Sequence, residues 1–314
     1  MKQKRNLKPL MIILMVLFGI GLFAYPTVSN FIFAKNASTM TEEYDELVNQ
    51  ASEETLQLAW NEAVSYNEAL TGNPVKDPFL EGSGMAMAEN YAQVLNLSGN
   101  GAMGYVSIPK IGVRLSIYHG TDEQTLQKGI GHLEGSSLPI GGIGSHSVLT
   151  GHTGLVNAKI FTDLIKLKEG DLFYLHLLGR PLAYEVDQIK VVLPDDTDAL
   201  ARIADGDYCT LVTCTPYGVN SHRLLVRGAR TEYIPEEEEA QAAASSPAAQ
   251  WFSGRNMLIG LGAGGGFALA VIIISAFWRR WKRKRRRYWW DEIEIPKKEA
   301  ENPAKEDWSN PWQW

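Results

Sequence analysis

The feature that most constrains this 314-residue chain is an uncharged apolar run of 22 residues, Met257–Trp278, that ends on the basic cluster RRWKRKRRR at 279–287. About 20 apolar residues are enough to cross a bilayer as a helix. A second apolar stretch lies near the start, roughly 10–25, followed by Pro26 and a short apolar run at 31–34. It is preceded by Lys2, Lys4, Arg5 and Lys8, with no acid among residues 1–33. Both stretches carry their basic flank on the side away from the middle of the chain. Lys and Arg favour the cytoplasmic side of a membrane. The pattern therefore predicts two membrane helices, both termini in the cytoplasm and residues 35–256 outside the cell. A cleaved signal peptide is the alternative for the first stretch, and it exports the middle of the chain equally well. The net charge of −6 hides this segmentation, because residues 34–278 carry 15 basic and 29 acidic side chains.

Residues 39–70 predict a helix, with Thr39-x-x-Glu42 as a capping box and Leu47, Leu56, Trp60, Val64 and Leu70 at roughly helical spacing. A Pro/Gly-rich loop, NPVKDPFLEGSG, follows at 73–84. From Gly104 the period falls to two. GYVSIP, residues 111–117, HSVLTG, DLFYLHLL, LAYEVDQIKVVLP, YCTLVTC and HRLLVRGA are strand candidates separated by turn signals. With one helical stretch, FTDLIKLK, they predict a mainly β fold with a closed barrel of about eight strands. The expected divisions are an anchor at 1–34, a helical region at 35–103, the barrel at 104–232, a linker at 233–256, a membrane helix at 257–278 and a cytoplasmic tail at 279–314.

An exported chain with two cysteines invites a disulfide. Cys209 and Cys214 lie five residues apart in one strand, a span of about 16 Å, whereas bridged Cα atoms sit within about 7 Å. The odd spacing also turns their side chains to opposite faces. At least one thiol is therefore free, which outside the cell points to chemistry. Cys214 ends its strand, and a hairpin around Gly218-Val219 sets Arg223 opposite it. Acyl transfer needs such parts: a thiolate nucleophile favoured by a nearby cation, a charged donor for the oxyanion and a general acid/base. His152, between two glycines in LTGHTG, is the candidate for the last role. His132, His146 and His222 compete with it, while His119 and His176 read as surface or strand residues. Taken singly, each of these residues has a plainer reading as core filler, loop histidine or surface charge. No metal-ligand cluster, phosphate loop or cofactor motif is found, and no nucleic-acid partner is expected. GAGGG at 262–266 lies inside a membrane run, where helix packing explains it.

TLVTCTPYGVNSHRLLVRG, GIGHLEGSSLPIGGIGSHSVLTGH and KIFTDLIKLKEGDLFYL resemble the sortases, most closely the pilin-polymerising class C, over about residues 40–232. The resemblance implies a sortase-type barrel, a Cys214–His152–Arg223 set and no cofactor. It implies cleavage of a Leu-Pro-x-Thr-Gly (LPXTG-like) sorting signal between Thr and Gly. A thioester on Cys214 would then pass to a Lys amine of a pilin subunit. Class C members also carry an amino-terminal lid with an Asp-Pro-aromatic motif, matched by Asp77, Pro78 and Phe79, and often a carboxy-terminal membrane helix. One departure is Thr153, where many relatives have Arg. Three rival readings stay open: a sortase that anchors proteins to the cell-wall peptide, a plain cysteine peptidase, and an exported barrel that only binds.

Overall fold

The alternating apolar pattern of the middle of the chain produces eight strands in the computed structural model, which describes residues 8–70, 76–79 and 90–245, with positions 276, 279 and 280. They are β1 (Ala102–Ile108), β2 (Val113–His119), β3 (Ile130–His132), β4 (Ser145–Thr150), β5 (Leu172–Leu177), β6 (Arg180–Val192), β7 (Asp207–Thr215) and β8 (His222–Thr231). They close into a barrel in the order β1-β2-β3-β4-β7-β8-β6-β5, with β5 returning to β1. Closure leaves no unpaired strand edge exposed. The pairs β2/β3 and β4/β7 are parallel and the others antiparallel. The sequence reading found every strand but the three-residue β3.

Because side chains alternate across a strand, each strand serves two cores. Leu149, Phe173, Leu175, Cys209, Leu211, Leu224 and Val226 belong to the larger cluster that fills the barrel. The opposite faces of β4, β7 and β8 supply Val148, Val212 and Leu225 to a second cluster with Leu133 and Leu200. Thus Cys209 is completely buried, Cys214 is partly buried, and both thiols are free.

Three expectations change. The helix predicted to begin at Thr39 is part of α1 (Lys8–Gln50), which runs on through Pro26. Thr39 does not cap it; its hydroxyl donates to the Lys35 carbonyl, 3.2 Å. Proline removes one backbone donor, a loss that apolar membrane-type helices tolerate. α1 is the one described helix long and apolar enough to cross a membrane. Phe18, Ile20, Leu22 and Phe31 stand exposed on it, whereas Tyr44 and Val48 near its end are buried against Tyr105 of the barrel. The break comes at Ser52, whose hydroxyl accepts from Thr55 N–H and starts α2 (Glu53–Ala69) with Glu53 and Glu54 in the first turn, where acids suit the helix dipole.

The stretch FTDLIKLK forms only a 3-10 turn, Leu164–Lys166. Leu164 and Leu167 are both buried, and a three-residue spacing aligns side chains in that tighter helix. A short helix, α3 (Glu123–Lys128), lies between β2 and β3, and within the expected linker at 233–256 residues Pro235–Ser245 form a helix, α4. Its Glu238 accepts from His176 Nε2 at 3.0 Å and from the Tyr233 hydroxyl at 3.0 Å, which fastens the helix to β5. The second apolar run and the basic cluster fall in a separate unit, residues 251–314, outside the described residues apart from three positions.

Closure of the barrel depends on close approach at Gly104. A Cβ there would lie 2.3 Å from the His176 carbonyl oxygen on β5. Gly104→Ala is therefore expected to destabilise the fold by about 1–3 kcal/mol, the usual range for overpacking, read as a lower urea midpoint. An unchanged midpoint would show that β1 and β5 can separate at no cost.

Candidate active site

Strand register sets Cys214 opposite Arg223, and the end of β4 leads His152 toward the same level of the barrel. In the β7/β8 hairpin Cys214 stands directly opposite Arg223, as the sequence reading expects, and Thr215 still pairs with His222 despite Pro216. On the other side of β7, the parallel partner β4 sets Thr150 beside Val212. The pairing continues past the end of β4: Gly151 N–H donates to the Val212 carbonyl at 3.0 Å, and the Thr213 hydroxyl donates to the Gly151 carbonyl at 2.7 Å. Two residues beyond Thr150 and Val212 are His152 and Cys214. Neighbouring strands run about 4.8 Å apart, so the thiol lies between the histidine's strand and the arginine's. All three positions share the outer-face parity of Val212 and Leu225.

Local sequence fixes the histidine. A Cβ at Gly151 would meet the Phe161 ring at 2.7 Å and Ile160 at 2.8 Å, so only glycine lets the chain pass under that loop. Phe161 N–H donates back to the His152 carbonyl at 3.0 Å. The competing histidines are occupied elsewhere. His132 is fully buried between the Tyr91 hydroxyl (2.8 Å) and the Ser137 carbonyl (2.9 Å), and burial pushes it down to about 4. His146 is buried between Thr210 and the Ala201 carbonyl. His222 pairs with Ser221 at 2.9 Å.

The Asp-Pro-Phe segment lies on this site. Asp77, which is buried, takes the Arg223 guanidinium in two parallel bonds, Nε to Oδ1 at 2.8 Å and Nη2 to Oδ2 at 2.7 Å. Arg223 Nη1 donates to the carbonyls of Asn220 and His222, each at 3.2 Å. Its planar fork is thus committed on every nitrogen. The Phe79 ring lies 5.7 Å from the His152 ring and 5.0 Å from the Arg223 guanidinium carbon, and it packs on the outer cluster of Leu133, Val148 and Val212. Pro78 is buried between them in sequence. Apart from Lys76, which is exposed, the rest of the Pro/Gly loop lies outside the described residues.

Electrostatics follow from these contacts. Burial pushes the Cys214 thiol up, the Arg223 charge pulls it down, and Asp77 pushes it up again. In this arrangement Asp77 offsets part of the effect of the cation that would favour a thiolate. Cys209, wholly inside the barrel, is pushed well above the ordinary thiol range by burial, which suits inert packing.

A sortase domain model matches residues 106–231. Among solved structures, sortase C-1 from Streptococcus pneumoniae is 44% identical with a TM-score of 0.59, covering 62% of this chain and 100% of that one. Sortase C-1 from Actinomyces oris is 48% identical with a TM-score of 0.54, covering 57% and 99%. The pilus-related sortase C of group B Streptococcus is 42% identical with a TM-score of 0.57, covering 62% and 97%. The chain belongs to the sortase family. Sortase D of Bacillus subtilis is 33% identical over 132 residues, 41% of this sortase and 64% of that protein. This sortase thus spans about 64% of the length of the curated relatives it matches, sortase A of Bacillus anthracis included.

Two neighbours of the site were not read from the sequence. Glu123, on the short helix α3, brings Oε2 to 3.4 Å from His152 Nε2. Tyr217, exposed on the β7/β8 turn, lies over Gly154, where a Cβ would be 3.3 Å from its ring. The Asp122 cap that starts α3 was a legible signal; the approach of Glu123 to His152 was not, because it depends on how β2 and β3 pair.

The charges facing the thiol set a directional expectation. Asp77→Ala moves the midpoint of the pH profile for Cys214 alkylation to lower pH, and Arg223→Ala moves it to higher pH. Intact-mass kinetics with iodoacetamide across the neutral to alkaline range check this. An upward shift in the Asp77 variant would mean that the carboxylate does not act on the thiol.

Proposed function

We propose that this chain is a cysteine transpeptidase that cleaves an LPXTG-like sorting signal between Thr and Gly. It holds the Thr carbonyl as a thioester on Cys214 and passes it to a Lys amine of a pilin subunit. The level at which β4, β7 and β8 meet carries the reading, because a thiol has an imidazole strand on one side and a guanidinium strand on the other. Cys214 Sγ attacks the Thr carbonyl carbon, and Arg223 donates to the oxyanion that develops on its oxygen. His152 gives a proton to the departing Gly amine and takes one from the incoming amine. The pilin assignment draws on the class C solved neighbours, one of them described as pilus-related, at 42–48% identity. Identity to the sortase D relative is lower, at 33%.

Asp77, Pro78 and Phe79 act in this reading as a lid. Arg223 cannot serve an oxyanion while Asp77 holds its fork, and Phe79 fills the apolar groove beside His152. The lid lowers apparent substrate affinity by the fraction of time the site is open. Asp77→Ala combined with Phe79→Ala raises the rates of thiol alkylation and of sorting-peptide cleavage. Rates equal to those of the parent chain would reduce the tripeptide to an ordinary turn.

The chemistry is tested with the full chain in detergent and a sorting peptide. Cys214→Ala abolishes the acyl-enzyme mass and Cys209→Ala retains it. Arg223→Ala costs about 10²–10³ in rate, as for one lost oxyanion donor. Arg223→Lys is also poor, since an ammonium lacks the planar fork. If only the hydrolysed peptide forms when a lysine acceptor is present, the chain is a peptidase.

The charge pattern further supports a two-pass arrangement with the catalytic domain outside and both termini in the cytoplasm. Reporter fusions near residue 245 then read external and fusions after Arg287 read cytoplasmic. An external reading for the latter overturns the topology.

A further inference from the structure

We infer that Glu123 is the acceptor-binding residue of this site, the carboxylate that receives the ammonium of the incoming lysine and takes one of the two protons it must lose. The inference rests on the transpeptidase reading above. It starts from an unsatisfied atom: His152 Nε2 is buried and has no hydrogen-bond partner. Facing it at 3.4 Å is Glu123 Oε2, close enough to pair with a protonated imidazole but longer than an ordinary N–H···O hydrogen bond. A buried ring nitrogen left without a hydrogen bond costs free energy. A cationic N–H donor entering from the exposed side of the carboxylate would bond to both atoms.

The carboxylate is held for that purpose. Asp122 caps α3 through Gln124 N–H at 2.9 Å and Thr125 N–H at 3.1 Å. Leu126 anchors the helix in the core. Gln127, one turn on, donates to Glu123 Oε1 at 2.7 Å. One oxygen is thus pinned by α3 itself and the other is turned to His152. The rest of Glu123 faces solvent, with 67% of the side chain exposed, so an incoming side chain can reach it. Its side of His152 is supplied by α3, whereas Phe79 and Arg223 come from other elements.

Proton accounting gives the carboxylate a task. A lysine ammonium and a thioester become an amide and a thiolate. The carbon–nitrogen bond forms, the carbon–sulfur bond breaks with its electron pair going to Cys214 Sγ, and nitrogen sheds two protons. His152 Nε2 can hold one, which restores the imidazolium needed for the next cycle. Glu123 Oε2 takes the other and returns it to water at its exposed face. Lysine offers three donors on one nitrogen, enough to bridge both atoms at once.

The test compares two nucleophiles on the full chain in detergent, acylated by a sorting peptide. One is a lysine-containing peptide, cationic at neutral pH, and the other is hydroxylamine, uncharged there. Glu123→Gln is expected to lower transfer to lysine by about 10–100-fold, the range for a lost charged hydrogen bond, mostly through the KM for the acceptor. Release to hydroxylamine falls far less. Glu123→Asp recovers part of the loss. Rising salt weakens lysine transfer in the parent chain more than in the Gln variant. An equal fall for both nucleophiles would make Glu123 a support for His152 only, and no fall for either would remove it from the reaction; each overturns the inference. If the parent chain forms no acyl-enzyme on Cys214, the transpeptidase reading fails first and this one with it.

Discussion

The site depends on the parallel pairing of β4 with β7. The β7/β8 hairpin is local and brings Cys214 to Arg223 through a six-residue turn. His152 has no such route, since it lies about sixty positions before the cysteine. Between them the chain completes β5 and β6 before returning. Only the match of apolar faces, Leu149 with Leu211 inside and Val148 with Val212 outside, sets that register. A slip of one residue would turn every side chain of β4 to the other face. The burial that stabilises the barrel therefore also fixes the level of the histidine.

The same two-sided burial explains why one strand holds two thiols of different character. Cys209 packs among barrel side chains as a small apolar group, and burial keeps it protonated. Cys214, on the other face, looks onto an outer apolar floor that ends at a guanidinium. That floor is covered in part by Phe79, while Asp77 occupies the guanidinium. A carboxylate paired with a buried arginine both satisfies and silences it. In the proposed reaction the lid works by electrostatics as well as by steric cover: the cation that would favour a thiolate and stabilise an oxyanion is held by Asp77, which offsets part of its effect until the segment leaves.

Helix α1 joins two environments. Its early turns expose Phe18, Ile20 and Leu22, and its last turns pack Tyr44 and Val48 on the barrel. The Tyr44 hydroxyl donates to the Met103 carbonyl at 2.9 Å and accepts from Leu178 N–H at 3.0 Å. At the other end of the domain, α4 is fastened through Glu238 to His176 and Tyr233. Both segments that lead toward apolar runs of the sequence are thereby tied to β1 and β5, the strands that close the barrel.

The sequence by itself determined seven of the eight strands, because period-two burial is written directly in residue type; β3, with three residues, is too short to show a period. It also determined the opposition of Cys214 and Arg223, because a short turn leaves little choice of register. That Cys209 and Cys214 do not bridge each other followed from their odd spacing along one strand. The start of α1 and the existence of α4 were not legible: an apolar anchor and a packed helix share one period, and an acidic, alanine-rich stretch shows no face until His176 and Tyr233 give it one. The packing of Asp77 and Phe79 on Arg223 and His152, and the approach of Glu123 to His152, were decided only in three dimensions. Each joins elements far apart in the chain. Their contacts depend on the order in which strands pair around the barrel, which no local pattern encodes.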